Sequence, residues 1–238
     1  MSVPTGLARG LQRALSLESV RLDVPYHRPG PAWLLNPRRL ELVLTAAAYP
    51  GVHLRSASRL LLSPLPSLRF HVRRLAEHGL LHTWTSGGRV HLSIPGMYPA
   101  RVEPFLALWE DPFDRRVLRL IRERPGVHRD ALGRQIVPDP RSLERAFKRL
   151  LACGAIRMKT SKEGRRFWAT AAWNKFERVC HDGVADRLQC FLNLLESEGL
   201  HPILEEVSTD RVRMSVDGPR FRIRFALPLN PLTRDEKA

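Results

Sequence analysis

Apolar and polar positions along the chain fall into helical and strand-like runs that follow one another in a fixed order. Leu40, Val43, Leu44 and Ala47 mark a helical stripe, opened by Asn36-Pro37, a capping residue with proline at the first helical position, and closed at Tyr49-Pro50-Gly51. A short second helix is expected over about 54–61, and the Ser63-Pro64-Leu65-Pro66 turn separates it from a third over about 67–78. Leu68, Val72 and Leu75 share one face of that third helix, and Gly79 stands where a helix-ending glycine belongs. The period then changes from helical to alternating. Leu80–Trp84 and Val90–Ile94 read as strands, and Gly87-Gly88 between them reads as a hairpin turn.

The same succession returns. The run from Asn36 to Ser86 recurs without a gap 75 positions later, from Asp111 to Ser161, with about a quarter of the aligned positions identical. Pro50-Gly51-Val52-His53 becomes Pro125-Gly126-Val127-His128, Ser67-Leu68 becomes Ser142-Leu143, and Arg74-Leu75 becomes Arg149-Leu150. In the second copy the first helix is expected from Pro112 to about Arg124, the third from about Arg141 to Cys153, and the hairpin around Gly164. Two copies are too few for a solenoid, and each is long enough to bury a small core. The spacing therefore predicts two tandem domains, 36–98 and 111–170, joined by a linker over 99–110 and preceded by an N-terminal arm, 1–35. In that arm Leu7, Leu11 and Leu15 with Arg9 and Arg13 read as a short helix or arm, with an organellar presequence as the alternative.

Beyond the second copy, 171–200 reads as helix, with Phe176, Val179, Val184, Leu188, Phe191, Leu192 and Leu195 as apolar stripes and Gly183 as a break. After Pro202–Val207, two alternating strands follow: Val212, Met214 and Val216 on one side against Arg211, Arg213 and Ser215 on the other, then Phe221, Ile223 and Phe225 against Arg220, Arg222 and Arg224. Residues 171–238 are thus expected to form a small helix and β-hairpin domain for dimerisation or effector binding, with homodimerisation through it as the partner expectation. Its arginines are expected to pair with Glu196, Glu198, Glu205 and Glu206, a nucleic-acid-binding ribbon being the alternative.

Charge sharpens the picture because it is unevenly placed. The net +15 resides on the two copies, +6 over 36–98 and +9 over 111–170, while 171–238 is near neutral at −1. A polyanion is the expected partner of the repeats. In each copy the cations lie on the third helix and the hairpin behind it: Ser67, Arg69, His71, Arg73, Arg74 and Arg89 in the first, and Arg141, Ser142, Arg145, Lys148, Arg149, Lys159, Lys162, Arg165 and Arg166 in the second. A helix fits the major groove of B-form DNA, and the guanidinium fork suits guanine or phosphate.

Three helices and a hairpin make the winged helix variant of helix-turn-helix. The stretch Pro50-Gly51-Val52-His53 through Ser67-Leu68-Arg69-Phe70-His71-Val72-Arg73-Arg74-Leu75 to His78-Gly79-Leu80-Leu81 resembles the winged helix transcriptional regulators of the ArsR/MarR kind, in particular the archaeal proteins with two such units in tandem. The resemblance implies an α+β fold with two tandem winged helix domains, a third helix that enters the major groove, and a wing that touches the flanking backbone. By position, Ser67, Arg69, His71 and Arg74 would carry contacts in the first copy. The second copy departs from this pattern, with Ala146 in place of the histidine and Glu144 in place of Arg69. Whether it reads bases as the first does is left open, while Arg141, Ser142, Arg145, Lys148 and Arg149 keep its surface strongly basic. The implied function is a double-stranded DNA-binding transcriptional regulator, cytoplasmic and nucleoid-associated; the alternatives are a non-specific chromatin or architectural nucleic-acid binder, and a tandem winged helix protein-interaction adaptor.

Catalysis and cofactors are not expected. No paired carboxylates, Ser-His-Asp set, phosphate-cradling glycine loop or metal-binding helix is present in the sequence, and Cys153, Cys180 and Cys190 lack the close spacing of zinc or redox pairs. They read as reduced, mostly buried thiols. No apolar run is long enough to span a membrane.

Overall fold

The computed structural model describes residues 33–136, 139–162, 164–208, 211–218, 221–228 and 230–232. The arm expected before Trp33, Pro219 and Arg220 lie outside them. The described residues form an α+β fold of helices and three small antiparallel sheets, and they divide into two units. One comprises the first repeat with 183–238; the other is Ala100–Asp182.

Both repeats build the same elements in the same order. The first contains α1 (Pro37–Ala48), β1 (Val52–His53), α2 (Leu54–Leu60), α3 (Leu65–Glu77), β2 (His82–Ser86) and β3 (Arg89–Ser93). In the second unit a single 3-10 turn, Ala100–Val102, leads into α4 (Glu103–Trp109). The second repeat follows as α5 (Pro112–Glu123), β4 (Val127–His128), α6 (Arg129–Ile136), α7 (Pro140–Ala152), β5 (Ile156–Ser161) and β6 (Gly164–Ala169). The three-stranded sheet of each repeat places the last strand in the middle, in the orders β1-β3-β2 and β4-β6-β5.

Local chemistry explains the shared boundaries. Asn36 caps α1 by accepting from the amides of Arg38 and Arg39, and Asp111 caps α5 by accepting from Phe113 and Asp114, each with proline directly after it. Gly79 and Gly154, at φ +70° and +74°, end α3 and α7 with paired bonds back into the last turn: Leu80 N–H to Leu75 O and Gly79 N–H to Ala76 O, repeated as Ala155 to Leu150 and Gly154 to Leu151. Gly87 and Gly88 both have positive φ, which closes the two-residue turn that sets Ser86 opposite Arg89.

Three features differ from the sequence expectation. The stretch 99–110 is no bare linker: Phe105, Leu106, Leu108 and Trp109 are buried, and the rings of Phe105 and Trp109 pack against Trp173 and Phe176. Those last two rings belong to α8 (Ala171–Asp182), which lies in the second unit, so the region read as one C-terminal domain is divided at Gly183. The part beyond it, α9 (Val184–Ser197) with β7 (His201–Val207), β8 (Arg211–Gly218) and β9 (Phe221–Pro228), forms a three-stranded meander in place of the expected hairpin. That sheet belongs to the first unit, where Val212, Met214, Val216, Phe225 and Leu227 share a core with Phe191 and Leu195 of α9 and with α1.

This covering layer accounts for the apolar character of α1. From Leu42 to Ala48 every residue is buried, Thr45 included, whereas α5 buries only one side, with Val117, Leu118 and Ile121. The outer arginines of the C-terminal sheet are paired: Arg213 with Glu206 at 2.8 Å, Arg222 with Asp217 at 2.5 Å and Arg224 with Glu205 at 3.1 Å. Glu198 has another use, accepting from the amides of Trp33 and Leu34.

Candidate nucleic-acid interface

The third helix of each repeat is amphipathic for the same reason: Leu68, Val72 and Leu75 in α3 and Leu143, Phe147 and Leu150 in α7, three or four residues apart, are buried, and exposed cations stand between them. In α7, Leu143, Ala146, Phe147 and Leu150 are buried, leaving Arg141, Arg145 and Lys148 exposed along one side, three or four residues apart. They line a shallow cleft of about 370 Å3 with Glu144.

The hairpin behind this helix is more strongly charged. In β5 only Ile156 is buried, and register places Lys159 directly opposite Arg166, Thr160 opposite Arg165 and Arg157 opposite Trp168. Like charges facing each other across an antiparallel pair destabilise it. Arg157 lies 5.4 Å from the Trp168 ring centre, a cation–π arrangement that holds another guanidinium on the Lys159 side of the hairpin. Lys162 and Arg165 line a second cleft, about 470 Å3, with His128, Arg129 and Glu144. Glu144 borders both clefts and so marks where helix and hairpin cations meet.

Two of the expected residues are otherwise engaged. Arg149 is tied to the carboxylate of Asp114, with Nε at 2.6 Å from Oδ2 and Nη2 at 2.5 Å from Oδ1, and Nη2 also lies 3.5 Å from Asp111. Asp114 is 1% exposed, and its hydrogen bond raises the Arg149 pKa. This arginine ties α7 to α5 through its guanidinium while its side chain stays 44% exposed. Ser142 turns its hydroxyl toward Asp139, which caps α7 by accepting from the amide of Arg141.

The first copy presents a weaker field. Ser67, Arg69 and Arg73 are exposed on α3, as is Arg89 at the hairpin turn. Arg73 and Arg74 lie 3.7 Å and 3.4 Å from Glu77, and Arg74 also sits over the Trp33 ring, which stacks on His78. His71 is half-buried with its Nδ1 enclosed and unpartnered; burial first, then Arg39 and Arg38, holds its pKa below the ordinary value. Its counterpart, Ala146, is fully buried. The position thus borders the core in both copies, and the histidine is not displayed with the arginines. Where the second hairpin carries Arg157, Lys159 and Arg166, the first carries His82, Trp84 and His91, whose rings stack in succession at 5.7 and 5.6 Å. His91 is buried, with Nδ1 2.8 Å from Gly51 O.

Arg157 and Arg129 join this surface without having been expected there. Alternation along 156–161 places Arg157 in line with Lys159, which is a signal in the sequence itself. Arg129 required the fold, because its neighbours come from α7 and β6.

No protein-family model matches the chain, and no curated protein does. Among solved structures it is similar to the crystal structure of ScpB from Mycobacterium tuberculosis, at 16% identity over 58% of this chain and 91% of that one, with a TM-score of 0.24. A superposition this loose transfers no site residues. Among the described residues no helix is long and apolar enough to cross a membrane.

Proposed function

We propose that the chain is a double-stranded DNA-binding protein whose two repeats are winged helix units, and that it serves as a transcriptional regulator. The observation that carries this reading is the cationic surface of the second repeat. Arg141, Arg145 and Lys148 stand along the exposed side of α7, and the hairpin sets Lys159 opposite Arg166. Such a surface is stabilised by a polyanion, and an exposed helix beside a protruding hairpin fits a groove with a phosphate ridge next to it. In this reading the second repeat supplies most of the backbone attraction. The first, with Ser67, Arg69 and Arg73 exposed on α3, adds a smaller share.

Duplex binding followed against salt concentration tests the assignment. Replacing Arg141, Arg145 and Lys148 together by Ala lowers the salt slope by about 0.9 for each phosphate no longer neutralised, and replacing Arg69, Arg73 and Arg74 lowers it less. Equal slopes for wild type and the first triple variant would place the interface elsewhere. Selection from a random duplex library addresses the regulatory role: a recovered motif supports a sequence reader, and retention without enrichment supports an architectural binder.

A further inference from the structure

The carboxylate of Glu144 lies between cations drawn from two other elements. Its Oε1 accepts from Arg129 Nε at 2.7 Å, and its Oε2 lies 3.9 Å from Arg165 Nη1. Arg129 opens α6, Glu144 stands on α7, and Arg165 comes from β6. The cleft they border also holds Lys162. None of the three positions is charged in this way in the first repeat, where Leu54, Arg69 and Val90 stand instead. The group is therefore particular to the second repeat, all three members together.

A carboxylate between two guanidinium groups has the charge and the paired oxygens of a phosphate diester, and the arginine fork accepts either. The side chains remain accessible, at 35%, 36% and 51% exposure for Arg129, Glu144 and Arg165. Ion pairs exposed to this degree are weak and screened by salt, so a stronger anion can displace the internal one. Resting on the duplex-binding reading above, we propose that Arg129 and Arg165 form a backbone-phosphate site of the second repeat, and that Glu144 occupies it in the free protein as an internal competitor. The duplex engages the two together by displacing Glu144, while Asp130 remains 3.6 Å from Arg129 Nη1. The arrangement weakens binding to isolated phosphates and reserves the site for a ligand already held by Arg141, Arg145 and Lys148.

The test is a double-mutant cycle in the full chain, read as duplex affinity across a range of KCl concentrations, with Glu144→Gln, Arg129→Ala and the double variant. Glu144→Gln is expected to bind several-fold more tightly at low salt, with an advantage that shrinks as KCl rises, because the internal pair opposing the duplex in the wild type is itself screened by salt. Arg129→Ala is expected to cost little in the wild-type background and to remove most of the gain in the Glu144→Gln background. Additive effects would reduce Glu144 to one negative charge among many and overturn the shared site. So would weaker binding by Glu144→Gln confined to particular sequences, which would make Glu144 a base reader. If inorganic phosphate raises the thermal midpoint of Glu144→Gln while its duplex affinity stays at the wild-type value, the site belongs to free phosphate and the backbone assignment falls. Wild-type binding with an unchanged variant rejects the competitor alone; absence of salt-dependent duplex binding in every form rejects the duplex reading itself. Glu144→Ala replaces the glutamine variant if the latter does not fold.

Discussion

At position 149 an arginine that resembles its counterpart in the first repeat does different work. Arg74 lies over Trp33 and near Glu77, whereas Arg149 is held by Asp114 and Asp111, whose counterparts in the first repeat are Arg39 and Asn36. A buried carboxylate without its cation is costly, so Arg149→Ala should destabilise the second unit. The expected loss is about 2 kcal/mol, below the ~3–5 of a fully buried pair because Arg149 is itself 44% exposed. The salt slope of duplex binding should stay unchanged. Thermal unfolding and salt titration of the same variant separate the two roles; a lower slope with an unaltered melting temperature would return Arg149 to the interface. Sequence comparison alone pointed the other way, because identity at 74 and 149 conceals a change of partner 35 residues upstream.

At the level of elements, the second hairpin sets like charges opposite each other, Lys159 across from Arg166. Lys159→Glu would set an acid opposite Arg166 and replace a repulsive pair by an attractive one, a gain on the order of 1 kcal/mol or less. Duplex binding should weaken by the same change. A variant that melts higher and binds less tightly is the expected outcome; one that melts lower would mean that the register pairing does not govern this face. Elements of this size were largely legible in the sequence, since their signals are local: Asn36 and Asp111 as caps, Gly79 and Gly154 as helix ends, Gly87-Gly88 as a turn, Gly183 as a break. What escaped depended on distant partners. The helix Glu103–Trp109 has its reason in Trp173 and Phe176 of α8, and β7 carries too little alternation to show as a strand, with most of its residues exposed and a register shift between Leu204 and Glu206. His71 looked like a displayed polar residue only because sequence spacing does not distinguish the flank of a helix from its crest.

Across the whole chain, the two repeats diverge according to what covers their first helix. Apart from Thr45 the run Leu42–Ala48 is apolar, which the single stripe expected for this helix does not account for; the layer that covers it comes from a segment far along the chain. Deleting 183–238 should therefore expose the apolar back of α1 and the core once shared with Phe225 and Leu227. Binding of an apolar dye and aggregation are expected of the truncated chain, and a monodisperse, dye-free product would show that α1 needs no cover. The order of these parts along the chain bears on synthesis. The second unit, Ala100–Asp182, is continuous, while the first is completed by residues translated after it. As the chain leaves the ribosome the later repeat can close at once, and the earlier one must wait with α1 half-covered until 183–238 emerges, which makes that interval the one at which chaperone capture is most needed.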